Sequence, residues 1–515
     1  KMITIDRMMK GAVAAGHPKT AEAATLILEA GGNAFDAALA ALCAACVVEP
    51  VLTSLGGGGF LLARLDSGET RLFDFFVQTP VRKRPIDQID FHPIIADFGT
   101  AQQEFHIGTG SVATPGTVRG LFDIHRQLGT LPMRRLMEPA IGYARDGVMT
   151  NALQAYIFSI VAPIYVATED ARRIYGRGTE KNRLCAEGEL LCQPELADTL
   201  EILAIEGDRL FYEGEIATTL VEQNRLDGGH LTEEDMHGFR TEIRQPLQHT
   251  YRGTRIHSNP PPSSGGMLIR FAQHLLSAIE TMDAGFGSSD HLLTLARVME
   301  QTNLARSRHG VHEGEWDEAL LQQYLNVIRN HPVTARGTTH ISVIDTRGNA
   351  ASLTLSNGEG CGHLLPGTGI MLNNMLGEED LNPGGFHSWQ ENVRVSSMMA
   401  PSLAIDKNRL IAIGSGGSNR LRTAILQTLC NMIDYGMSVK EAVAAPRIHY
   451  ERKRISIEPG FSRESVDTLI AAFPDYHLWD EKNLFFGGAH TVLFDGTGFD
   501  GAGDPRRGGV FLRAG

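Results

Sequence analysis

Small apolar residues dominate the first fifty positions in two runs parted by a glycine joint. After His17-Pro18-Lys19-Thr20, the run AEAATLILEAGG predicts a helix closed by Gly31-Gly32. Asn33 then stands where its side-chain oxygen can cap a second helix, AFDAALAALCAACVV. So short a joint between two such helices predicts that they pack as close neighbours. After Glu49-Pro50 the pattern changes. Gly56-Gly57-Gly58-Gly59 enters FLLARL, and RLFDFF follows an Asp-Ser-Gly turn, which predicts two adjacent strands.

Residues 85–250 mix loops with helices, among them Thr117–Leu128 and a charged stretch near 197–205. Tyr251-Arg252-Gly253 leads into the strand-like TRIHS. Pro260-Pro261-Pro262 imposes an extended turn, and Ser263-Ser264-Gly265-Gly266 opens an apolar helix to about Leu276. Further helices are expected over 288–306 and 318–329. HPVTARG reads as an exposed loop, and TTHISVIDTRGNAASLTLS as two strands joined at Arg347-Gly348-Asn349. More glycine-rich loops follow, then helices at 419–435 and 438–445 and strands around TVLFD and GGVFL. Strand pairs alternate with helical blocks, without repeated strand–helix–strand units, so a layered α/β or α+β structure is expected. No internal repeat, low-complexity segment or interdomain linker breaks the chain.

Composition narrows the classes. The 515 residues have an ordinary globular make-up, which argues against disordered and fibrous classes. A formal charge of -13 argues against general nucleic-acid binding. Arg82-Lys83-Arg84, flanked by prolines, reads as a solvated loop. The six cysteines form no dense framework: Cys43 and Cys46 sit in the alanine-rich helix as core thiols, while Cys185 and Cys192 lie far away. The start has no continuous apolar signal core, and no stretch reads as a membrane span. The expectation is a soluble protein, cytoplasmic as the sequence stands, and periplasmic or secreted if a leader precedes it. The run Gly56–Gly59 lacks the spacing of a dinucleotide fingerprint and any phosphate-loop Gly-Lys-Ser/Thr ending, and no cofactor is expected.

Thr338-Thr339-His340 begins a strand directly after a glycine-bearing loop. Beta-branched residues suit a strand, and their hydroxyls often satisfy local backbone groups. Two threonines alone therefore assign no chemistry. The wider set does: GHPKTAEAATLILEAGGNAFDAALAA, VVEPVLTSLGGGGF, ATPGTVRGL, YRG and NPPPSSGG precede them, and GTGIMLNN, SSMMAPSLA, GSGGSNR, AAPRIHYE and GAGDPRRGG follow. In that order, over nearly the whole chain, these segments resemble the gamma-glutamyltransferase (gamma-glutamyltranspeptidase) family of N-terminal-nucleophile hydrolases.

The resemblance implies an α+β, four-layer αββα fold with two stacked central antiparallel sheets. It implies autocatalytic cleavage between Gly337 and Thr338, into a large segment, 1–337, and a small one, 338–515, that stay associated as one intertwined domain. Cleavage would free an α-amine beside the Thr338 hydroxyl. Such amines titrate near ~7.7–8.0 in model peptides, so this one can accept the hydroxyl proton near neutrality. An acyl-enzyme would then pass its acyl group to water or to an incoming amine, with no metal or other cofactor. Gly416 and Gly417 match the family's paired oxyanion glycines. Thr339 and Ser356 match hydroxyl residues that support the nucleophile, with Ser356 where the family commonly has threonine. Asn373, Asn374, Ser396 and Ser397 match pocket-lining residues. His340 is not required by an α-amine mechanism.

The substrate grip departs from the family pattern. Phe76 stands where an arginine normally holds the substrate α-carboxylate, and a phenyl ring cannot replace a bidentate cation. Arg82 and Arg84 are the candidates to reach back. Gly358 replaces the pocket asparagine. The acidic residue for the substrate amine is matched approximately by Glu378, or by Glu379 if the register slips. The expected activity is an amidohydrolase or acyltransferase on gamma-glutamyl or related amides, with altered acyl specificity. The alternatives are an acylase for a more apolar or dicarboxylic group and a noncatalytic binding homologue. Metal-assisted hydrolysis through His17, Glu49, His340 and Asp345 lacks a compact ligand motif. Expected partners are a small amide or peptide substrate, an amino-acid or dipeptide acceptor, the two processed fragments with each other, and a second processed unit as a homodimer. Neither nucleic acid nor a membrane span is expected.

Overall fold

The computed structural model describes residues 9–97, 102–179, 183–279, 284–307, 333–334, 337–378, 386–417 and 420–515. Two central sheets lie face to face. The first has seven strands: β1 (Gly11–Ala15), β2 (Gly58–Arg64), β3 (Thr70–Asp74), β4 (Glu242–Arg244), β7 (Thr338–Asp345), β8 (Ala350–Ser356) and β13 (Val510–Ala514). Their spatial order is β13-β1-β7-β8-β2-β3-β4, antiparallel throughout. The second sheet uses β5 (Leu247–Tyr251), β6 (Thr254–Ser258), β9 (Ser402–Ile405), β10 (Leu410–Gly416), β11 (Gly488–Phe494) and β12 (Phe499–Ala502). These run β12-β11-β10-β9-β6-β5, also antiparallel.

Helices cover both outer faces. Helix α1 (Pro18–Glu29) and α2 (Ala34–Val48) pack on the first sheet. All fifteen residues of α2 are buried, so the helix lies inside the outer layer and shows no polar face. Asn33 caps it as expected: its side-chain oxygen accepts from the amides of Phe35 and Asp36, and the Asp36 carboxylate accepts from Asn33. Across the second sheet lie α3 (Gly265–Ser277), α4 (Ser289–Ser307) and α5 (Arg420–Ile433). The result is the expected four-layer αββα arrangement. The expected helix at 318–329 lies outside the described residues.

Polar groups stitch the two sheets together. Ser342 and Ser352 on β7 and β8 donate to the carbonyls of His490 and Ile413 on β11 and β10, at 3.0 and 2.9 Å. His340 packs against Gly414, where a methyl group would fall 2.2 Å from its ring. Ser402 returns its amide to Ser352 at 3.1 Å. Each buried polar atom in this set has a partner, which makes so polar an interface stable.

Most of the expected elements form where the pattern placed them. The segment Gly414-Ser415-Gly416 is different: it continues β10 as a paired strand, with Gly416 opposite Gly488. Glycine content suggested a loop there, but pairing with β11 overrides that tendency. The strands β1 and β9 likewise carried no clear signal. No helix among the described residues is long and apolar enough to cross a membrane.

Candidate active site

Thr338 opens β7 directly opposite Ser356 at the end of β8. Both side chains are buried. Gly337, just before it, has φ +46°, in the left-handed region that favours glycine. A methyl group at 337 would also fall 1.5 Å from the Gly358 carbonyl oxygen. The Ser356 hydroxyl donates to the Gly337 carbonyl oxygen at 2.7 Å and accepts the Gly358 amide at 3.2 Å. A hydrogen-bonded relay therefore ends on the carbonyl that precedes the threonine.

On the other side, β10 brings Gly416 against the Thr338 carbonyl. A methyl group at 416 would lie 2.3 Å from that oxygen, so only glycine permits the approach. Gly417 follows with φ +101° and faces the Arg507 guanidinium. Arg507 is buried, and its Nη1 reaches the Thr338 carbonyl at 3.4 Å. Burial, together with the Arg420 charge, pulls its pKa down to about 10, against the pull of Asp504 and Glu49.

Thr339 points to the opposite face of β7. Its hydroxyl donates to Glu49 Oε1 at 2.8 Å, and Thr20 on α1 donates to Glu49 Oε2 at 2.8 Å. Burial pushes the Glu49 carboxyl up to about 7, although both hydroxyls and Arg507 favour its charged form. His340 shares a face with Thr338, but both ring nitrogens are engaged, by Thr354 and Ser342 at 2.8 Å each. Burial and the neighbouring His490 hold it well below its ordinary pKa, so it is neutral.

Of the residues matched to the substrate pocket, Gly358, Asn374 and Glu378 lie beside this centre. Gly358 abuts Asn374 and Glu378: a methyl group there would fall 2.1 Å from Asn374 Oδ1 and 3.0 Å from Glu378 Oε1. Asn374 accepts the Glu359 amide at 2.8 Å. Glu378 is fully buried, and Glu379 lies outside the described residues. Asn373 points away, its amide used on Gly56 and Ala113. Ser396 donates to the Pro262 carbonyl at 2.7 Å, and Ser397 accepts the Met399 amide at 3.0 Å. These two serines also pair in parallel with Val333-Thr334, just upstream of Gly337.

Phe76 is fully buried and stacks on Phe60, with ring centroids 5.2 Å apart. Its backbone lies beside Gly58, the partner of Ser356 on β2. Neither Arg82 nor Arg84 reaches it. Arg82 is largely exposed, 3.8 Å from Glu234, and Arg84 donates to the carbonyls of Asn224 and Gly229. The nearer cation is Arg394, which donates to the carbonyls of Phe76 and Arg240 and sits 3.6 Å from Asp74. Glu49 and Arg507 were not singled out as nucleophile-adjacent residues from sequence. The available signal was an acid closing a mostly apolar helix, in VVEP, and a second arginine in DPRR. The four residues raised for a metal site do not converge: among the described residues no group of three or more His, Cys, Asp or Glu side chains is placed to hold an ion.

Two facing antiparallel sheets between helical layers, with a threonine opening a central strand, define an N-terminal-nucleophile hydrolase fold. A family model for gamma-glutamyltranspeptidase matches residues 20–514, and the chain belongs to that family. It is 30% identical to the glutathione hydrolase proenzyme of Escherichia coli K12, over 97% of this chain and 91% of that protein. It is likewise 30% identical to the Acylase ACY 1 proenzyme of Pseudomonas sp. strain V22, over 95% of this chain and 91% of that one. The crystal structure of a cephalosporin acylase from Bacillus halodurans superposes with a TM-score of 0.83 at 24% identity, covering 98% of this chain and 96% of that one. The protein is a hydrolase or transpeptidase of this family, in a group that includes both glutathione hydrolases and acylases.

Proposed function

We propose that Thr338 first cuts its own chain and then serves as the acyl-accepting nucleophile of an amidohydrolase or acyltransferase. One observation carries this reading: the Ser356 hydroxyl is already donated, at 2.7 Å, to the Gly337 carbonyl that the Thr338 hydroxyl would attack. Attack forms an O–C bond to Gly337, and collapse breaks the Gly337–Thr338 C–N bond with proton transfer to nitrogen. An ester remains, and water hydrolyses it to a Gly337 carboxylate and a free Thr338 amine and hydroxyl. That amine then accepts the hydroxyl proton during attack on a substrate amide. The glycine pair at 416–417 supplies close backbone donors for the resulting oxyanion.

Both product segments contribute strands to both sheets. In the first sheet, β7, β8 and β13 of 338–515 interleave with β1, β2, β3 and β4 of 1–337. Separating them would break paired strands, which supports their staying together after the cut.

The acyl group is the point of divergence. With Phe76 stacked in the wall, Arg82 exposed beside Glu234, Arg84 bonded to backbone carbonyls and Arg394 held by the Phe76 and Arg240 carbonyls near Asp74, the pocket keeps no cation at position 76 for an α-carboxylate. This favours an acyl group recognised by apolar surface, as in an acylase, over a gamma-glutamyl group. Incubating the purified full chain and weighing its fragments tests the cut. Thr338→Ala is expected to stay whole, and cleavage at the same bond in that variant would reject the nucleophile. A panel of gamma-glutamyl, dicarboxylic and apolar acyl anilides, with and without a dipeptide acceptor, then ranks the acyl groups and separates hydrolysis from transfer.

A further inference from the structure

Two buried charges meet the Thr338-Thr339 dipeptide, Glu49 at the Thr339 hydroxyl and Arg507 at the Thr338 carbonyl. Glu49 closes α2 and is held by Thr339 and Thr20, with both carboxylate oxygens at 2.8 Å. A methyl group at Gly16 would touch Glu49, Thr339 and His490 together, so these groups close around one point. Arg507 approaches from the C-terminal turn. Its Nη1 and Nη2 make long contacts of 3.4 and 3.3 Å to the carbonyls of Thr338 and Leu484, and its buried Nε has no hydrogen-bond partner. A guanidinium bonded this loosely is held by the walls of the site, and most of its field is left for its neighbours.

We propose that Glu49 and Arg507 are a charge-coupled pair of positioning residues. Glu49 orients the nucleophilic dipeptide through Thr339, Arg507 backs the oxyanion glycines and the Thr338 carbonyl, and together they tune the amine that cleavage frees. This rests on Thr338 being the nucleophile. The other groups facing the pair are Cys46 and His490 near Glu49, and Arg420 and Asp504 near Arg507. Burial holds His490 near 4, so it is neutral in the working range. Cys46 is pushed up to about 12 by burial and stays a thiol.

The signs follow from Coulomb's law. A carboxylate favours the ammonium form of the Thr338 amine and raises its pKa, whereas a guanidinium disfavours that form and lowers it. The neutral amine is the base, so its pKa sets the acid limb of kcat/KM. Burial, opposed by the Thr339 and Thr20 hydrogen bonds and by the Arg507 charge, leaves Glu49 pushed up to about 7, and the new ammonium of the cut chain favours its ionised form.

The test uses the full chain, its fragments weighed first, and the acyl p-nitroanilide that it turns over fastest. Glu49→Gln is expected to move the acid limb down by about one pH unit, and Arg507→Met to move it up by about one, at the separations of such a site. The double variant should return close to wild type. Limbs that move in the same direction, or stay still, overturn the pair. Should either neutral variant fail to fold, Thr339→Val cuts the bridge and keeps both charges. It should lower kcat about tenfold at unchanged KM, and a wild-type kcat there also overturns the inference. A wild-type chain that turns over substrate while uncut at 337–338 defeats the nucleophile itself. A cut wild type with unmoved limbs defeats only the pair.

Discussion

The end of β7 and the wall around Phe76 lie side by side and obey different rules. At Thr338 the arrangement rests on backbone: a glycine that permits φ +46°, a carbonyl 2.7 Å from Ser356, and a strand glycine pressed against the Thr338 oxygen. At the wall it rests on side chains. Phe76 stacks on Phe60, and the nearby Arg394 is tied to backbone carbonyls and Asp74. Backbone geometry there is held by the pairing of Thr338 with Ser356 and of Ser356 with Gly58, and cannot change without moving a sheet. A single wall residue can. The comparison teaches that reaction chemistry and acyl recognition are separable here, and that sequence departures collect on the second.

The largest effect expected from breaking the first region is that of Thr338→Ala, which should leave the chain whole and cut anilide turnover by about a thousandfold or more. Intact mass and an endpoint assay check both. Gly416→Ala comes next, because its methyl group would sit 2.3 Å from the Thr338 oxygen. It should lower kcat by roughly a hundredfold to a thousandfold, the range for a damaged oxyanion site. Ser356→Ala should slow self-cleavage by about tenfold to a hundredfold, as a lost donor to a reacting carbonyl does. Ser356→Thr restores the hydroxyl and should cleave within a few-fold of wild type; a time course on denaturing gels reads both.

The smallest change is expected in the second region. Phe76→Arg should raise kcat/KM for a gamma-glutamyl anilide by less than about tenfold. The new guanidinium would enter a buried stack close to Arg394, and Gly358 would still lack the pocket amide. A gain of several hundredfold would show that one side chain alone separates gamma-glutamyl specificity from this site.

Much of the nucleophile region was legible because its signals are local. The strand pair at 338–356, its turn at Arg347-Gly348-Asn349 and the Asn33 cap each depend on neighbours within a few residues. The resemblance matched Ser356 to the support of the nucleophile and Gly358, Asn374 and Glu378 to the substrate pocket; in the structure these four lie next to one another. Gly416 was harder to read. Its glycine-rich surroundings suggest a turn, and only pairing with β11 makes the segment a strand. Asn373 and Asn374 look equivalent in sequence, yet the first amide holds backbone while the second meets Gly358.

Taken alone, the sequence determined the two helices with the Asn33 cap between them and the hairpin opened by Thr338, because short spacing encodes such features, and the family resemblance marked Phe76 where an arginine is expected. Tertiary structure alone decided which distant groups meet them. Glu49 joins Thr339 across 290 residues, and Arg507 reaches Thr338 across 169. No local periodicity records such partners. They are chosen when two sheets close on each other and each buried polar group must find the partner that packing leaves within reach.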